Sequence, residues 1–436
     1  MRYEHPDLPG RSLRLGYCMN LHAAEDLDGV YRGMREITVP LAERLYPGRS
    51  ESEGFGVGVW LPADVAMEIT RPDQAEALDR YAEFFAEHGL DPFTFNAFPY
   101  GGFHSEGLKE RVFNPTWKNP LRTAYTLAVL QIALALHGDK RERSRHVSIS
   151  THCGMFGEWV GGPADLDECC DSMLVVALTM AQMEDESGLR MVLSLEPEPR
   201  SSANDTRELS GLHERLLARS HQVLGRGFDS LAELSERIVH RHLGTCLDTC
   251  HAAVEYESAD EAFARSTSGG TPLGKMQFSS ALDLVRPSDH DAARQALFAL
   301  AEPTYLHQVT GRRSDGELVR ARDLPDVERA YASDLGGLWH QCDSWRCHFH
   351  VPVDLTDAGV EGLGTTREAA DRALVHALDN PDRWGADELH VEIETYTWDL
   401  LPDHLGGTLS RVDGLVREYE HVFALLDAHG WRRVGD

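Results

Sequence analysis

Short runs of apolar, β-branched or aromatic residues recur along the chain and alternate with longer segments whose apolar residues lie three or four positions apart. The short runs are typical of strands, and the longer spacing is typical of amphipathic helices. Eight runs are predicted to be strands: 13–22, 56–62, 92–99, 146–151, 191–199, 244–250, 275–281 and 389–396. Strands that alternate with helices favour a parallel sheet covered by helices.

The helical segments show how the chain returns to the next strand. Segment 73–88 places Leu78 and Phe85 on one apolar stripe, and Gly89 follows it directly. Glycine after a helix supplies the left-handed residue at which many helices end. Eight such strand and helix units predict a single α/β domain over residues 1–436, a (β/α)8 TIM barrel.

One part of the chain does not fit a simple repeat of eight. Residues 282–388 are too long for one crossover and contain further strand-like runs at 304–309 and 346–353. We interpret this segment as an insertion before the last strand. An open doubly wound sheet is the alternative, but no glycine-rich phosphate loop follows the first strand.

Composition narrows the class of protein. Hydrophobic residues make up 42% of the chain and charged residues 26%, and no apolar stretch approaches the ~18 residues of a membrane span. The first residues lack the pattern of a signal peptide, so we predict a soluble, cytoplasmic protein. A formal charge of −29 disfavours nucleic acid as a partner. The eight cysteines form no CxxC pair, and we expect them to be reduced and buried.

Carboxylates stand at the ends of three predicted strands, where the loops of a barrel converge. Glu196 ends the fifth run, and Asp248 ends the sixth with His251 one turn later. In the last run Glu392 and Glu394 alternate to the same side, and Glu394 lies nearer the mouth. A salt bridge for Glu196, a helix cap for Asp248 and an arginine partner for Glu394 are the alternatives. Buried carboxylates without such partners require a cation.

The three mouth carboxylates predict a divalent metal site for Mn2+, Mg2+ or Co2+, or for Zn2+ or Fe2+ if histidines join. The fourth ligand stays open. Gln277 ends the seventh run, whereas His348 and His350 alternate toward one side of run 346–353. We favour Gln277, with His350 close to the site from the insertion. His307 is a third candidate, although a lone histidine in an apolar run is more often a core residue.

Other strand ends carry polar and aromatic groups that suit a sugar or cyclitol, whose rings present hydroxyl groups beside C–H patches. We therefore predict a small polyhydroxylated metabolite as the bound partner. For any single member, packing in the core is the alternative. The predicted substrate-binding residues are His22, Trp60, Asn96, His152, His251, His307 and His348.

The order LEPEP, LDTCHA, KMQFSSA and EIETYTW resembles the xylose-isomerase-like barrel superfamily, which includes sugar epimerases and endonuclease IV. More closely, TFNAFPYGGFH, NPTW, HFHVPV and ETYTWDLLP resemble the metabolite-traffic family EboE of the bacterial ebo cluster. The resemblance spans roughly residues 13–404. It implies a metal-binding barrel linked to making or moving a secondary metabolite.

The resemblance to sugar isomerases also implies residue roles. Glu196 and Glu394 would bind the metal and act as catalytic proton-exchange groups, Asp248 would bind the metal, and His251 would bind a substrate oxygen and assist catalysis. The sequence departs at Gln277, where those epimerases usually have a metal-binding histidine.

Three functions follow from these observations. The first is a metal-dependent isomerase or epimerase that acts on a sugar, a cyclitol or their phosphates by proton transfer beside a carbonyl. The second is a metal-dependent phosphoesterase of the endonuclease IV kind. The third is a non-catalytic module that holds a metabolite for partner enzymes of the same pathway.

Overall fold

The computed structural model describes residues 1–48, 54–137, 146–223, 229–402 and 407–435. Its strands in chain order are β1 Arg2–Glu4, β2 Ser12–Cys18, β3 Phe55–Trp60, β4 Leu90–Asn96, β5 Val147–His152, β6 Met191–Glu196, β7 Leu243–Asp248, β8 Leu273–Phe278, β9 Ser280–Val285, β10 Val309–Arg313, β11 Leu318–Ala321, β12 Cys342–Val351, β13 Asp357–Val360, β14 Leu363–Thr365, β15 Glu388–Ile393 and β16 Arg432–Arg433.

The α-helices are α1 Leu27–Gly33, α2 Val39–Leu45, α3 Ala63–Ile69, α4 Ala75–Glu87, α5 Pro120–His137, α6 Pro163–Ser187, α7 Thr206–Val223, α8 Asp229–His242, α9 Thr249–Val254, α10 Ala259–Ser266, α11 Asp291–Phe298, α12 Leu324–Ser333, α13 Arg367–Asp379 and α14 Arg411–Ala428. None of these helices is both long and apolar enough to span a lipid bilayer.

Strands β2 to β8 and β15 form a closed parallel barrel of eight strands. Neighbours in the barrel follow chain order, and β15 pairs with both β8 and β2, which closes the sheet on itself. Each barrel strand overlaps one of the eight predicted runs. The (β/α)8 prediction is therefore confirmed. The open-sheet alternative is wrong because β2 and β15 pair with each other and close the sheet.

The barrel helices pack on the outside through the apolar stripes that the sequence shows. In α14, Leu415, Tyr419, Val422 and Leu426 are buried at helical spacing. Gly89 follows α4 with a φ of +58°, a left-handed conformation that glycine adopts without strain. The eight cysteines are free thiols and all are buried, as predicted.

The insertion forms a second sheet above the barrel mouth. Its order is β11-β10-β12-β9-β14-β13, and its paired neighbours run antiparallel. The sheet spans Ser280–Thr365, so α13, which follows it, is the crossover helix to β15. The predicted run 346–353 overlaps β12, whereas the run 304–309 is strand only at Val309. A separate apolar cluster that includes Trp345 supports the second sheet.

Candidate metal centre

The barrel interior buries ionisable groups in layers, and the lower layers are paired. Near the start of β2, Arg14 contacts both Asp91 and Glu388. One level below the mouth, Lys275 Nζ lies 2.5 Å from Glu392 Oε2, and both side chains are 0% exposed. Glu392 therefore faces its own cation, in the lower polar layer. These pairs account for the buried acids below the mouth.

The layer at the mouth holds three acids without a cationic side chain. Glu196 is the last residue of β6, Asp248 is the last residue of β7, and Glu394 directly follows β15. One carboxylate oxygen from each lies within 4.8 Å of the others, and all three are buried. In the described part of the chain, no lysine or arginine forms an ion pair with them. Their juxtaposition fits a divalent cation, because a bound cation would offset the mutual repulsion of their ionised forms.

Asp248 and Glu394 each have one oxygen held by a protein donor, and all three acids have one oxygen without a partner. Asp248 Oδ1 caps α9 by accepting from the His251 backbone N–H at 2.9 Å, so the cap interpretation also holds. Glu394 Oε1 accepts from Asn20 Nδ2 at 2.7 Å and Asn96 Nδ2 at 3.1 Å. Asp248 Oδ2, Glu394 Oε2 and Glu196 Oε2 are buried without a hydrogen-bond partner. Oriented carboxylates with a free oxygen are suited to ligation.

Burial controls the charge of these acids. Burial first, and then the nearby Asp248 carboxylate, raise the pKa of Glu196 well above its usual value. Burial, followed by Glu196 and Asp248, likewise raises the pKa of Glu394. Burial also raises the pKa of Glu198 to about 8. A bound cation would favour the ionised forms of these groups.

Histidines from the insertion complete the cluster. His251 Nε2 lies 3.1 Å from His348 Nε2 and 3.2 Å from His350 Nε2. The pairing register of β12 with β9 shifts between Cys347 and Val351, where His348 and His350 lie. Such irregularities often redirect side chains at functional sites. His350 also belongs to a second group of possible ligands, with Asp248 and His251.

Burial disfavours the protonated, charged form of these rings. Burial lowers the pKa of His251 to about 4 and lowers the pKa of His348 and His350 from their usual values. A neutral ring has one N–H, and each Nδ1 faces an oxygen: Pro197 O for His251 and Glu394 O for His350. The ring protons therefore lie on Nδ1, which leaves the Nε2 lone pairs available as ligands.

Gln277 lies beside the cluster in the strand register, opposite Asp248 on β7 and Glu392 on β15. Its Oε1 atom accepts from the Cys246 thiol at 2.9 Å, and its Nε2 atom is buried without a partner. Because its carbonyl oxygen is already engaged, His350 is the better placed fourth ligand. The choice between the two stays a prediction.

A pocket opens onto this cluster. Its lining combines the deep acids and histidines with an apolar cover from loops 97–113 and 305–306. The residues that line it are Asn20, Asn96, Phe98, Pro99, Phe103, Leu108, Lys109, Val112, Glu196, Glu198, His251, Tyr305, Leu306, His348, His350, Glu394 and Tyr396. The predicted substrate-binding residues Asn96, His251 and His348 are thus brought to one pocket.

Four other predicted substrate-binding residues lie outside the lining. His22 is buried against Tyr17, 3.1 Å from its hydroxyl oxygen. Trp60 donates from Nε1 to Pro99 O at 2.9 Å. His152 Nδ1 accepts from the Gly154 backbone N–H.

The fourth of these residues is His307, which contacts His348 from outside the pocket lining. Its Nδ1 atom lies 3.0 Å from His348 O, and its Nε2 atom lies 3.1 Å from Glu302 Oε1. A position at a strand end did not ensure that a side chain points into the pocket. These four residues contribute packing and hydrogen bonds around it.

The sequence analysis missed several residues of the site. Glu198 stands two positions after Glu196 in LEPEP and could have been noticed there. Asn20 lies in the turn after β2, and Gln308 lies just before β10. Amide side chains in loops carry little signal by themselves. Tyr396 lies in the ETYTW motif, which carries the resemblance, and no role was predicted for its side chain.

Comparisons with known proteins give low similarities. No family model matches the sequence, and no curated protein matches it. A solved structure of the IOLI protein with a bound zinc atom is 10% identical, covers 96% of this chain and 99% of that chain, and has a TM-score of 0.43. The probable 3-DHS dehydratase AsbF from Bacillus anthracis is 12% identical, covers 61% and 73%, and has a TM-score of 0.36.

A putative xylose isomerase from Rhodospirillum rubrum is 15% identical, covers 57% of this chain and 70% of that chain, and has a TM-score of 0.31. Membership of the EboE family stays a prediction.

Proposed function

We propose that the protein is a divalent-metal-dependent isomerase or epimerase. The observation that carries the proposal is the contrast between layers. The buried acids below the mouth contact Arg14 or Lys275, whereas Glu196, Asp248 and Glu394 meet without an ion pair to any lysine or arginine that the structure describes. These three carboxylates would hold the cation. Histidine nitrogen from His350 would complete a set suited to Mn2+, Co2+, Zn2+ or Fe2+, and oxygen ligands alone would suit Mg2+.

The substrate class follows from the oxygen-rich floor of the pocket. Sugars, cyclitols and their phosphates carry neighbouring hydroxyl and carbonyl oxygens that can reach the cluster together. When bound, the cation would polarise those oxygens and increase the acidity of the adjacent C–H bond. His251 lines the pocket beside Glu196 and would contact a substrate oxygen.

The proton transfer itself belongs to two carboxylates. One of Glu196 and Glu394 would accept the proton from the carbon beside the carbonyl. The C–H electron pair would form the C=C bond of an enediolate, and the carbonyl π pair would move onto the carbonyl oxygen. Return of the proton to the former carbonyl carbon, with transfer of the hydroxyl proton from one oxygen to the other, gives an isomer. Return of a proton to the opposite face of the original carbon, from the other carboxylate, gives an epimer. Asn20 and Asn96 would hold Glu394 in position through its Oε1 atom.

Exchange with heavy water tests this proposal. The metal-loaded protein is incubated in heavy water with a panel of ketoses, aldoses and inosose-type cyclitols, and deuterium at the carbon beside the carbonyl is measured. We expect Glu394→Gln to slow exchange by about 100-fold or more, because general acid and base groups contribute that much. The exposed Glu420→Gln in α14 is the matched control and should exchange at the wild-type rate.

Incorporation that is unchanged in Glu394→Gln would contradict the proposal. Binding of one of these sugars or cyclitols without deuterium exchange would favour a non-catalytic protein that holds a metabolite.

Metal-assisted hydrolysis of a small phosphoester is a second candidate. The observation that favours it is the number of possible ligands: Glu198, His251 and His348 form a group beside the three mouth acids. Sites that cleave phosphoesters often use more than one cation. Release of nitrophenol from bis(p-nitrophenyl) phosphate with Zn2+, without proton exchange in sugars, would distinguish hydrolysis from isomerisation.

A further inference from the structure

Glu198, His251 and His348 form a cluster that shares no residue with the three mouth acids. One possible ligand atom from each lies within 4.8 Å of the others, and all three side chains are buried. We propose that this cluster is a second cation site, distinct from the one formed by Glu196, Asp248 and Glu394. In this arrangement His251 Nε2 would act on a substrate oxygen through the cation and not by direct contact. The inference does not depend on which reaction the pocket performs.

The ring protons of the two histidines point away from each other. His251 Nδ1 lies 3.1 Å from Pro197 O, a carbonyl that can only accept. His348 Nδ1 lies 2.5 Å from Gln308 Oε1. The orientation of the Gln308 amide is fixed because its Nε2 atom donates to Glu198 Oε1 at 3.1 Å and to Pro199 O at 3.0 Å. His348 therefore donates from Nδ1.

The consequence is a pair of Nε2 lone pairs that face each other. These two atoms of His251 and His348 are 3.1 Å apart. Two acceptors at that separation repel each other unless a proton or a cation lies between them. Two imidazoles on one tetrahedral zinc ion, with Zn–N distances of about 2.0–2.1 Å, place their nitrogens about 3.4 Å apart. The observed spacing is close to that value.

The carboxylate of Glu198 supplies the third ligand. Its Oε1 atom accepts from Gln308, and its Oε2 atom is buried without a hydrogen-bond partner. Gln308 is 0% exposed and orients both Glu198 and His348. One amide that fixes two ligands is the kind of support that metal ligands commonly have. We assign Gln308 as a positioning residue.

The donor set indicates which metal the site would take. Two imidazole nitrogens and one carboxylate oxygen are a common set for Zn2+, which leaves a fourth position for water or substrate. The other site, with three carboxylates and a single imidazole from His350, is a harder set that suits Mn2+ better. The pocket would therefore hold two cations with different preferences.

Metal stoichiometry tests the proposal. Purified full-length protein is dialysed against Zn2+, and bound zinc is measured by elemental analysis. We expect two ions per chain in the wild type and one in both Glu198→Gln and His348→Asn. In the Co2+-substituted protein, the part of the visible absorption that comes from the second ion should be lost in His348→Asn. His429→Asn, at the C-terminal end of α14, is the matched histidine control and should retain two ions.

The variant Gln308→Leu tests whether Gln308 orients Glu198 and His348 without being required for folding. With an unchanged circular dichroism spectrum, this variant should weaken binding of the second ion about 10–100-fold and leave the first unaffected. If His348→Asn does not fold, Glu198→Gln, which keeps the side-chain shape, carries the test.

Three results would overturn the inference. The first is one ion per chain in the wild type. The second is two ions in folded Glu198→Gln. The third is loss of the second ion in Cys250→Ser but not in Glu198→Gln, which would assign that ion to the neighbouring group of Cys250, His348 and His350. None of them would contradict proton exchange at the first site.

Discussion

Removal of the Lys275 ammonium group, which lies one level below the mouth, should strongly destabilise the barrel. Lys275 Nζ contacts Glu392 Oε2 at 2.5 Å and Phe95 O at 3.4 Å, in a region with no solvent exposure. Lys275→Met keeps most of the side-chain volume, so the main loss is the charge. Glu392 would remain buried without a counterion, and its Oε1 atom already has no partner. Breaking a buried pair in this way costs about 3–5 kcal/mol.

The double variant Lys275→Met, Glu392→Gln distinguishes lost charge from lost packing. It leaves an uncharged amide in the same position, and we expect it to recover stability toward the cost of an unsatisfied polar group, about 1–3 kcal/mol. Urea unfolding followed by circular dichroism at neutral pH measures both values. The reasoning is refuted if Lys275→Met loses less than about 1 kcal/mol, or if the double variant is no more stable than the single one.

Three further results are expected. Gly58→Ala places a Cβ 1.5 Å from Glu392 Oε1 and should cost about 1–3 kcal/mol in urea unfolding, whereas Gly211→Ala in α7 meets no atom within 4 Å and should not. Burial raises the pKa of Glu418 to about 8 from 4.5, so the folded chain keeps a proton that the unfolded chain loses. Stability should therefore fall as pH rises between these values, and less steeply in Glu418→Gln. Added Mn2+ at about 100 times its Kd should stabilise the wild type by about 2.7 kcal/mol in thermal melts but not Asp248→Asn.

The barrel was predictable because its signal is repeated. Each strand is a short apolar run and each helix has an apolar stripe, so eight weak indications support one another. The chain also has to place strand ends together in a closed barrel, which is why Glu196, Asp248 and Glu394 could be grouped from sequence. Glu392 pairs with Lys275, whereas Glu394 lies with the other acids at the mouth. The sequence suggested this difference because Glu392 lies deeper along the same strand.

The rest of the site depended on packing that a linear pattern does not contain. His348 and His350 alternate in sequence, but their approach to His251 depends on how the second sheet sits over the mouth. Trp60 and His152 stand at strand ends and nevertheless bond to backbone groups outside the pocket. Strand position predicts the level of a side chain in a barrel but does not determine which neighbours it contacts.

Anomalous scattering from zinc-soaked crystals tests the central claim most directly. The expected result is a peak among the free oxygens of Glu196, Asp248 and Glu394, at about 2.0–2.2 Å from each ligand atom. The contrary result is no peak among these oxygens in a crystal whose three carboxylates remain within reach of one another.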